Sequence, residues 1–195
     1  GSEMCIRDSH LGEHGHWMKR TLFDNGTRIP LIVSGPGINK NEKIMDAPVE
    51  MIDIYPTLMD LTGKKTPSFV SGKSFASLLK DSSKRVRKSA LTELIIGSKD
   101  EMVQGYSIKT DRYRLTQWGE NGIHGYELYD HKFDKPELNN LANVEDYRAL
   151  KDSLKKVIRD RIADARKIPD GISQQNIPKE TGEPEPIYSQ PKSKF

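Results

Sequence analysis

Three histidines, a tryptophan and a lysine fall within the run His10-Leu11-Gly12-Glu13-His14-Gly15-His16-Trp17-Met18-Lys19. That density of proton-transferring, metal-binding and cationic groups suggests chemistry. Glycines at 12 and 15 let the backbone come close to a ligand. The spacing HxxxHxH is no established ligand pattern, so spacing alone leaves two readings open: a metal- or substrate-binding loop, or a solvated loop in which histidines happen to fall. The run has no clean period of 3.6 or 2, which predicts a loop. Immediately behind it, Arg28-Ile29-Pro30-Leu31-Ile32-Val33 closes on Ser34-Gly35-Pro36-Gly37 and predicts an interior strand ending in a tight turn. A polar loop feeding a buried strand is a common support for reactive side chains.

The elements that must position this loop can be read further along the chain. In Glu50 to Gly63, Ile54, Leu58 and Leu61 recur at helical spacing, Pro56 fits a first turn, and Gly63 sits where a left-handed C-terminal cap belongs. A short helix with one buried face is predicted, with Glu50 and Asp53 as acids favoured by its N-terminal dipole. A Pro/Gly/Ser loop over 64–73 leads to the apolar cluster Lys73 to Leu79. The basic run Lys84, Arg85, Arg87 and Lys88 reads as a solvated boundary between two lobes. From Ser89 four short runs rich in β-branched and aromatic residues succeed one another, at 90–96, 102–110, 113–118 and 126–130, which predicts an antiparallel meander. One face of it needs a cover. Residues 143–166 supply a helix, with Tyr147, Leu150, Leu154, Val157, Ile158 and Ile162 on one stripe and Asn143 with Asp146 as a capping pair. The proline-rich stretch 167–195 is expected to be an extended or mobile tail.

Composition sets outer limits. A chain of 195 residues is one moderate domain, or one lobe and the edge of another, and at this size it can bury about 70% of its unfolded surface. With 34% hydrophobic and 30% charged residues and a mean hydropathy of −0.70, the core is expected to be thin, as in a fragment. The 31 basic and 28 acidic residues are mixed along the chain, so the net charge of +3 leaves no nucleic-acid footprint. No apolar run approaches the roughly 18 residues of a membrane span. Residues 1–9, GSEMCIRDS, look foreign to the rest of the chain and read as a cloning or assembly scar, outside the fold. Cys5, the only cysteine, falls inside that piece and cannot form an internal disulfide.

The strings LGEHGHWMK and FDNGTRIPLIVSGPG resemble the segment that comes after the Asp-His-Gly metal motif in the formylglycine-dependent sulfatases of the alkaline phosphatase-like superfamily, in particular the iduronate-2-sulfatase branch. Glu50 to Gly63 is similar to the family's VDLAPTLLDLAG stretch. GYSIKTDRYRLTQW and ELYDHKFDKPELNNLA are similar to two further stretches, in family order. The resemblance implies an α/β fold: residues 10–88 as the C-terminal portion of the large α/β sulfatase domain, and 89–166 as a small α+β subdomain whose four-stranded antiparallel sheet is covered by a C-terminal helix. It implies that Lys19 approaches the sulfate, with His14 as the second group near the chemistry. His10, Trp17 and Arg20 would line the substrate pocket, and His16 would face solvent. Asp130, Asp134, Glu137 and Asn140 read as closing turns between the last strand and the helix.

The family uses calcium, but the positions of its Asp-His-Gly ligands hold Ile6, Arg7 and Asp8. An alkyl group has no lone pair and a guanidinium is a permanent cation. The CxPSR context of the formylglycine nucleophile is also absent. The expectation is therefore a sulfatase fragment with no metal ligands of its own, inactive alone. Its partners would be a sulfated carbohydrate substrate and the missing N-terminal part of the same domain, with no nucleic acid and no membrane. Family resemblance suggests a periplasmic or secreted location. Two alternatives stand beside it: a phosphonate or phosphate monoester hydrolase of the same superfamily, and a non-catalytic module binding a glycan or a metal.

Overall fold

A computed structural model describes residues 10–36, 38, 44–98 and 101–168. The expectations for residues 1–9, for the turn at 39–43 and for the tail from 169 onward lie outside the described residues. In chain order the elements are β1 (His10–Leu11), β2 (Trp17–Met18), α1 (Asp24–Thr27), α2 (Ile54–Leu61), α3 (Ala76–Lys80), β3 (Ala90–Ser98), β4 (Glu101–Lys109), β5 (Tyr113–Trp118), β6 (Tyr126–Asp130) and α4 (Arg148–Ala165). Among the described residues no helix is long and apolar enough to cross a membrane.

The meander is built as its β-branched and aromatic runs predict, with strand order β3-β4-β5-β6 and every pair antiparallel. Leu91, Ile108, Leu115 and Leu128 are direct cross-strand partners and so share one face. That face packs on Leu154, Ile158 and Ile162 of α4, and Ile108, Leu115, Leu128 and Ile158 are wholly removed from water. Truncating Ile158 to alanine leaves a void between helix and sheet, and is expected to cost about 2–5 kcal/mol in urea unfolding. The expected Asn143–Asp146 cap does not form. A single 3-10 turn, Glu145–Tyr147, precedes α4, and neither start has a side-chain cap. Backbone turns take its place: the Val144 amide donates to the Leu141 carbonyl and the Tyr147 amide to the Val144 carbonyl.

The first half of the chain departs further from expectation. The predicted strand over 28–33 has no ladder, and Ile32 is 92% exposed. A strand's backbone groups need a neighbour, and none of the described residues pairs with this one. Helix α2 forms and ends as predicted: Gly63 takes φ +67 and the Lys64 amide closes on the Met59 carbonyl at 2.8 Å. Its buried face is displaced, however. Pro56 and Thr57 are buried while Leu58 is 55% exposed. A small apolar cluster of Phe75, Leu78 and Leu79 collects Ile54, Leu61, Val33 and Val86 around it.

Glu50 and Asp53 do more than favour a helix dipole. The Asp53 carboxylate is fully buried, and Nε and Nη2 of Arg87 donate to it at 2.6 and 2.5 Å. The Lys73 amide donates to the same carboxylate. Glu50 accepts from Arg161 of α4 at 2.5 Å and from the Leu91 amide of β3 at 2.7 Å. Arg87 therefore does not belong to a solvated basic run; only 7% of it is exposed. Its guanidinium pairs with both Asp53 and Glu50, and Glu50 is the joint between the start of α2 and the sheet with its helix.

Candidate functional site

The histidine loop is a narrow hairpin. His10 pairs with Met18 and Leu11 with Trp17 across β1 and β2. The turn between them needs φ +122 at Gly12 and +68 at Gly15, which glycine adopts without steric cost, and His14 is held at φ +55. The Gly12 amide donates to the His16 carbonyl and the Leu11 amide to the Glu13 carboxylate. Beyond β2 the chain folds back on itself. The Thr21 amide donates to the Lys19 carbonyl at 2.9 Å, and the Thr21 hydroxyl meets Nε2 of His10 at 2.8 Å. Lys19 is thus bracketed by a ladder on one side and a buried hydrogen bond on the other. Gly26 of α1 closes the bend from below: a Cβ there would lie 2.5 Å from the Thr21 hydroxyl.

Of the residues expected at a site, Trp17 is 70% exposed and Lys19 half-buried, on the same hairpin arm. His14 is half-buried and lies flat on Phe23, with ring centroids 3.8 Å apart and planes within 6°. His10, expected to line the pocket, is instead fully buried and engaged with Thr21, so it supports the bend from inside. Arg20 turns away from the hairpin, its guanidinium donating to the Ile95 carbonyl of β3 at 2.8 Å. His16 is exposed, as expected. The three imidazoles do not converge: His10 meets His14 and His16 edge-on, with centroids 5.8 and 6.1 Å apart.

What holds this loop is the face of the four-stranded sheet opposite α4, and that face is polar. Arg114, Ser107 and Thr116 are buried there. Leu22 sits against Gly105 and Trp118, where a glycine Cβ would lie only 2.7 Å from Leu22 and 2.5 Å from the indole. Phe23 tilts over Tyr129 with centroids 6.0 Å apart. Nη2 of Arg114 donates to the Asp24 carboxylate at 2.7 Å and its Nε to Glu137 at 2.5 Å, while the Asp24 amide donates to the other Glu137 oxygen at 2.7 Å. His131 completes the set, with Nε2 2.6 Å from Glu137. Asp130, Asp134 and Asn140 close local turns as expected, by accepting from nearby amides. Glu137 does not. It is buried, held at φ +60, and reaches a segment 113 residues earlier.

Burial pushes the Glu137 carboxyl upward, but the His131 hydrogen bond, the Arg114 charge and the Asp24 amide outweigh it and hold the group below its ordinary 4.5. A depressed carboxyl stabilises the fold above its unfolded value, and that contribution is lost as pH falls through the folded one. The stability difference between the parent chain and Glu137→Gln should therefore be largest at neutral pH. It should shrink progressively below pH 4.5, as urea unfolding at a series of pH values would record. Glu127, on the same face, behaves oppositely: burial pushes it up, although the Trp118 indole N–H donates to it at 3.2 Å.

Among the described residues one group brings ligand-type atoms together, Asp24, His131 and Glu137. Its donors suit an ion pair better than a metal. The Arg114 guanidinium already bridges both carboxylates, so a dication would have to displace a buried cation. That cluster is thus read as an ion-pair network.

The family model "N-sulphoglucosamine sulphohydrolase, C-terminal" matches residues 12–164. A sulfatase of Formosa agariphila is 33% identical over 148 residues, which is 76% of this chain and 27% of the relative. The solved structure of a 2-O GAG sulfatase superposes with a TM-score of 0.67 at 28% identity, covering 76% of this chain and 33% of that one. A structure in complex with D-glucosamine-2-N,6-O-disulfate gives a TM-score of 0.65 at 28% identity, covering 82% and 34%. The chain spans about a quarter of the length of its curated relative.

Proposed function

The chain belongs to the sulfatase family through its N-sulphoglucosamine sulphohydrolase C-terminal region, and on that premise we propose that it supplies the C-terminal part of an enzyme hydrolysing sulfate esters of sugars. The observation that carries the reading is the extent of the family match, which runs unbroken from the histidine hairpin to the end of the covering helix. In this reading Lys19 contributes a fixed ammonium toward a non-bridging sulfate oxygen. Its backbone is held between the β1–β2 ladder and the His10–Thr21 bond. Attack at sulfur redistributes negative charge over those oxygens and the departing alcohol, and a cation already in place stabilises it without reorganising. Trp17 offers an exposed ring beside it for the sugar, and His14 borders the same pocket. In this reading the nucleophile and the family's calcium ligands come from outside this chain.

The finer proposal is a uronate carrying its sulfate at O2. The similarity to a 2-O GAG sulfatase and the resemblance of the hairpin to the iduronate-2-sulfatase branch support it. Sulfate release is the test, from a 2-O-sulfated uronate disaccharide and from a 6-O-sulfated glucosamine disaccharide, in a polypeptide where a sulfatase nucleophile region precedes this chain. Faster release from the 2-O substrate is expected. Preference for the 6-O substrate would overturn the finer assignment, and hydrolysis of phosphonate esters alone would overturn the coarser one.

A further inference from the structure

The polar face of the small sheet is chemically out of place unless it has a task. Sheet faces are buried to remove apolar groups from water, yet this one buries an arginine, a glutamate, a serine and a threonine. Each has a partner. Arg114 donates to Glu137, Asp24 and the Ser107 hydroxyl, and the Thr116 hydroxyl meets Ser107 at 3.0 Å. Such a network is costly to assemble and replaceable by apolar packing, so stability alone does not account for it. It ends on two groups of one short segment, the amide and the carboxylate of Asp24. The preceding residue, Phe23, lies between Tyr129 of β6 and the His14 ring. The line of contact is therefore continuous, from Glu137 and Arg114 to Asp24, to Phe23, to His14.

We propose that Arg114 and Glu137 are positioning residues for the histidine hairpin: they clamp Asp24, and so seat Phe23 as the platform on which the His14 imidazole lies. The fold of the small lobe is thereby coupled to the geometry of the pocket. His14 needs such a platform, since its left-handed backbone is a conformation that a residue with a side chain keeps only when its surroundings impose it. Glu137 is itself held left-handed on the other side of the clamp, so both ends of the line carry strain. The functional meaning of this coupling rests on the sulfatase reading. The coupling itself does not.

Proton NMR of the 195-residue chain tests it directly. A ring lying flat against Phe23 places the His14 ring protons in the shielding cone, so their resonances should be shifted upfield from those of exposed His16. In Glu137→Gln and in Asp24→Ala that upfield shift is expected to be lost, while the cross-strand amide signals of β4 to β6 persist. Truncating Leu150 of α4, which packs against the opposite face of the sheet, should leave it unchanged. An unaltered His14 shift in the two clamp variants would overturn the proposal. So would equal loss in the Leu150 variant, which would make the effect one of general stability. Should Glu137→Gln fail to fold, Asp24→Ala decides, since it keeps the backbone amide that Glu137 accepts from. In the active polypeptide the same variants should lower kcat/KM by about 100-fold, the size expected when a group near the chemistry is displaced by about 1 Å. Loss of the NMR shift without loss of activity would count against the sulfatase reading of His14 and leave the coupling intact.

Discussion

Replacing Lys19 by alanine in an active polypeptide should lower kcat/KM by about 100- to 1000-fold, the range found when a preorganised charge-stabilising donor is removed from a reacting oxygen. The effect should fall mainly on kcat, because the charge that Lys19 meets grows as sulfur is attacked. Stability should barely change, since the side chain is only half-buried on an arm held by backbone bonds and by the His10–Thr21 contact. Lys19→Arg should recover only part of the loss, because a planar fork replaces a compact ammonium. Sulfate release measured over a range of substrate concentrations separates kcat from KM. A Lys19→Ala enzyme with parental kcat would remove this residue from the chemistry.

Arg114→Ala should be the most destabilising single substitution in the small lobe, by about 3–5 kcal/mol, because it leaves the Glu137 carboxylate buried without its main counter-charge. Only 2% of the Arg114 side chain and 1% of that of Glu137 are exposed. A domain of this size is stable by only about 5–15 kcal/mol in all, so the loss is a substantial fraction of the whole and should lower the urea midpoint markedly. The Arg112–Asp130 pair makes the contrast. It is as short, at 2.5 Å, but 41% of the arginine side chain faces water, so Arg112→Ala should cost less than Arg114→Ala. Urea unfolding of the two variants side by side checks the difference, and equal costs would mean that burial is not what sets them apart.

Most of the sheet and its helix was legible in the sequence. The β-branched and aromatic runs Tyr113 to Trp118 and Tyr126 to Asp130 specified strands with the observed bounds, and the helical stripe from Tyr147 to Ile162 specified the helix that covers them. The first half of the chain was less legible. Leu31, Ile32 and Val33 have the composition of an interior strand, but strand structure is a property of a pair, and no described residue pairs with them. The histidine stretch could be singled out from its residue types, but it read as a loop and not as the β1–β2 hairpin it forms. His10 was misjudged because a histidine among histidines gives no sign of which ring will turn inward to a threonine eleven residues on. The clamp was invisible for the same reason. Glu137 sits among turn-forming residues whose local partners account for the pattern, and nothing in its neighbourhood signals a bond to an amide 113 residues away. The only hint was an arginine inside a strand, on the same face as the adjoining Ser107–Thr116 pair.

In the proposed function this chain contributes the sulfate-binding cation and the sheet and helix that support it, but not the attacking group. Sulfate release with calcium present should be followed for the 195-residue chain alone, and for the same chain joined behind a sulfatase nucleophile region. No turnover above buffer is predicted for the first, and turnover that depends on Lys19 for the second. Turnover by the chain alone that disappears in Lys19→Ala would contradict the account.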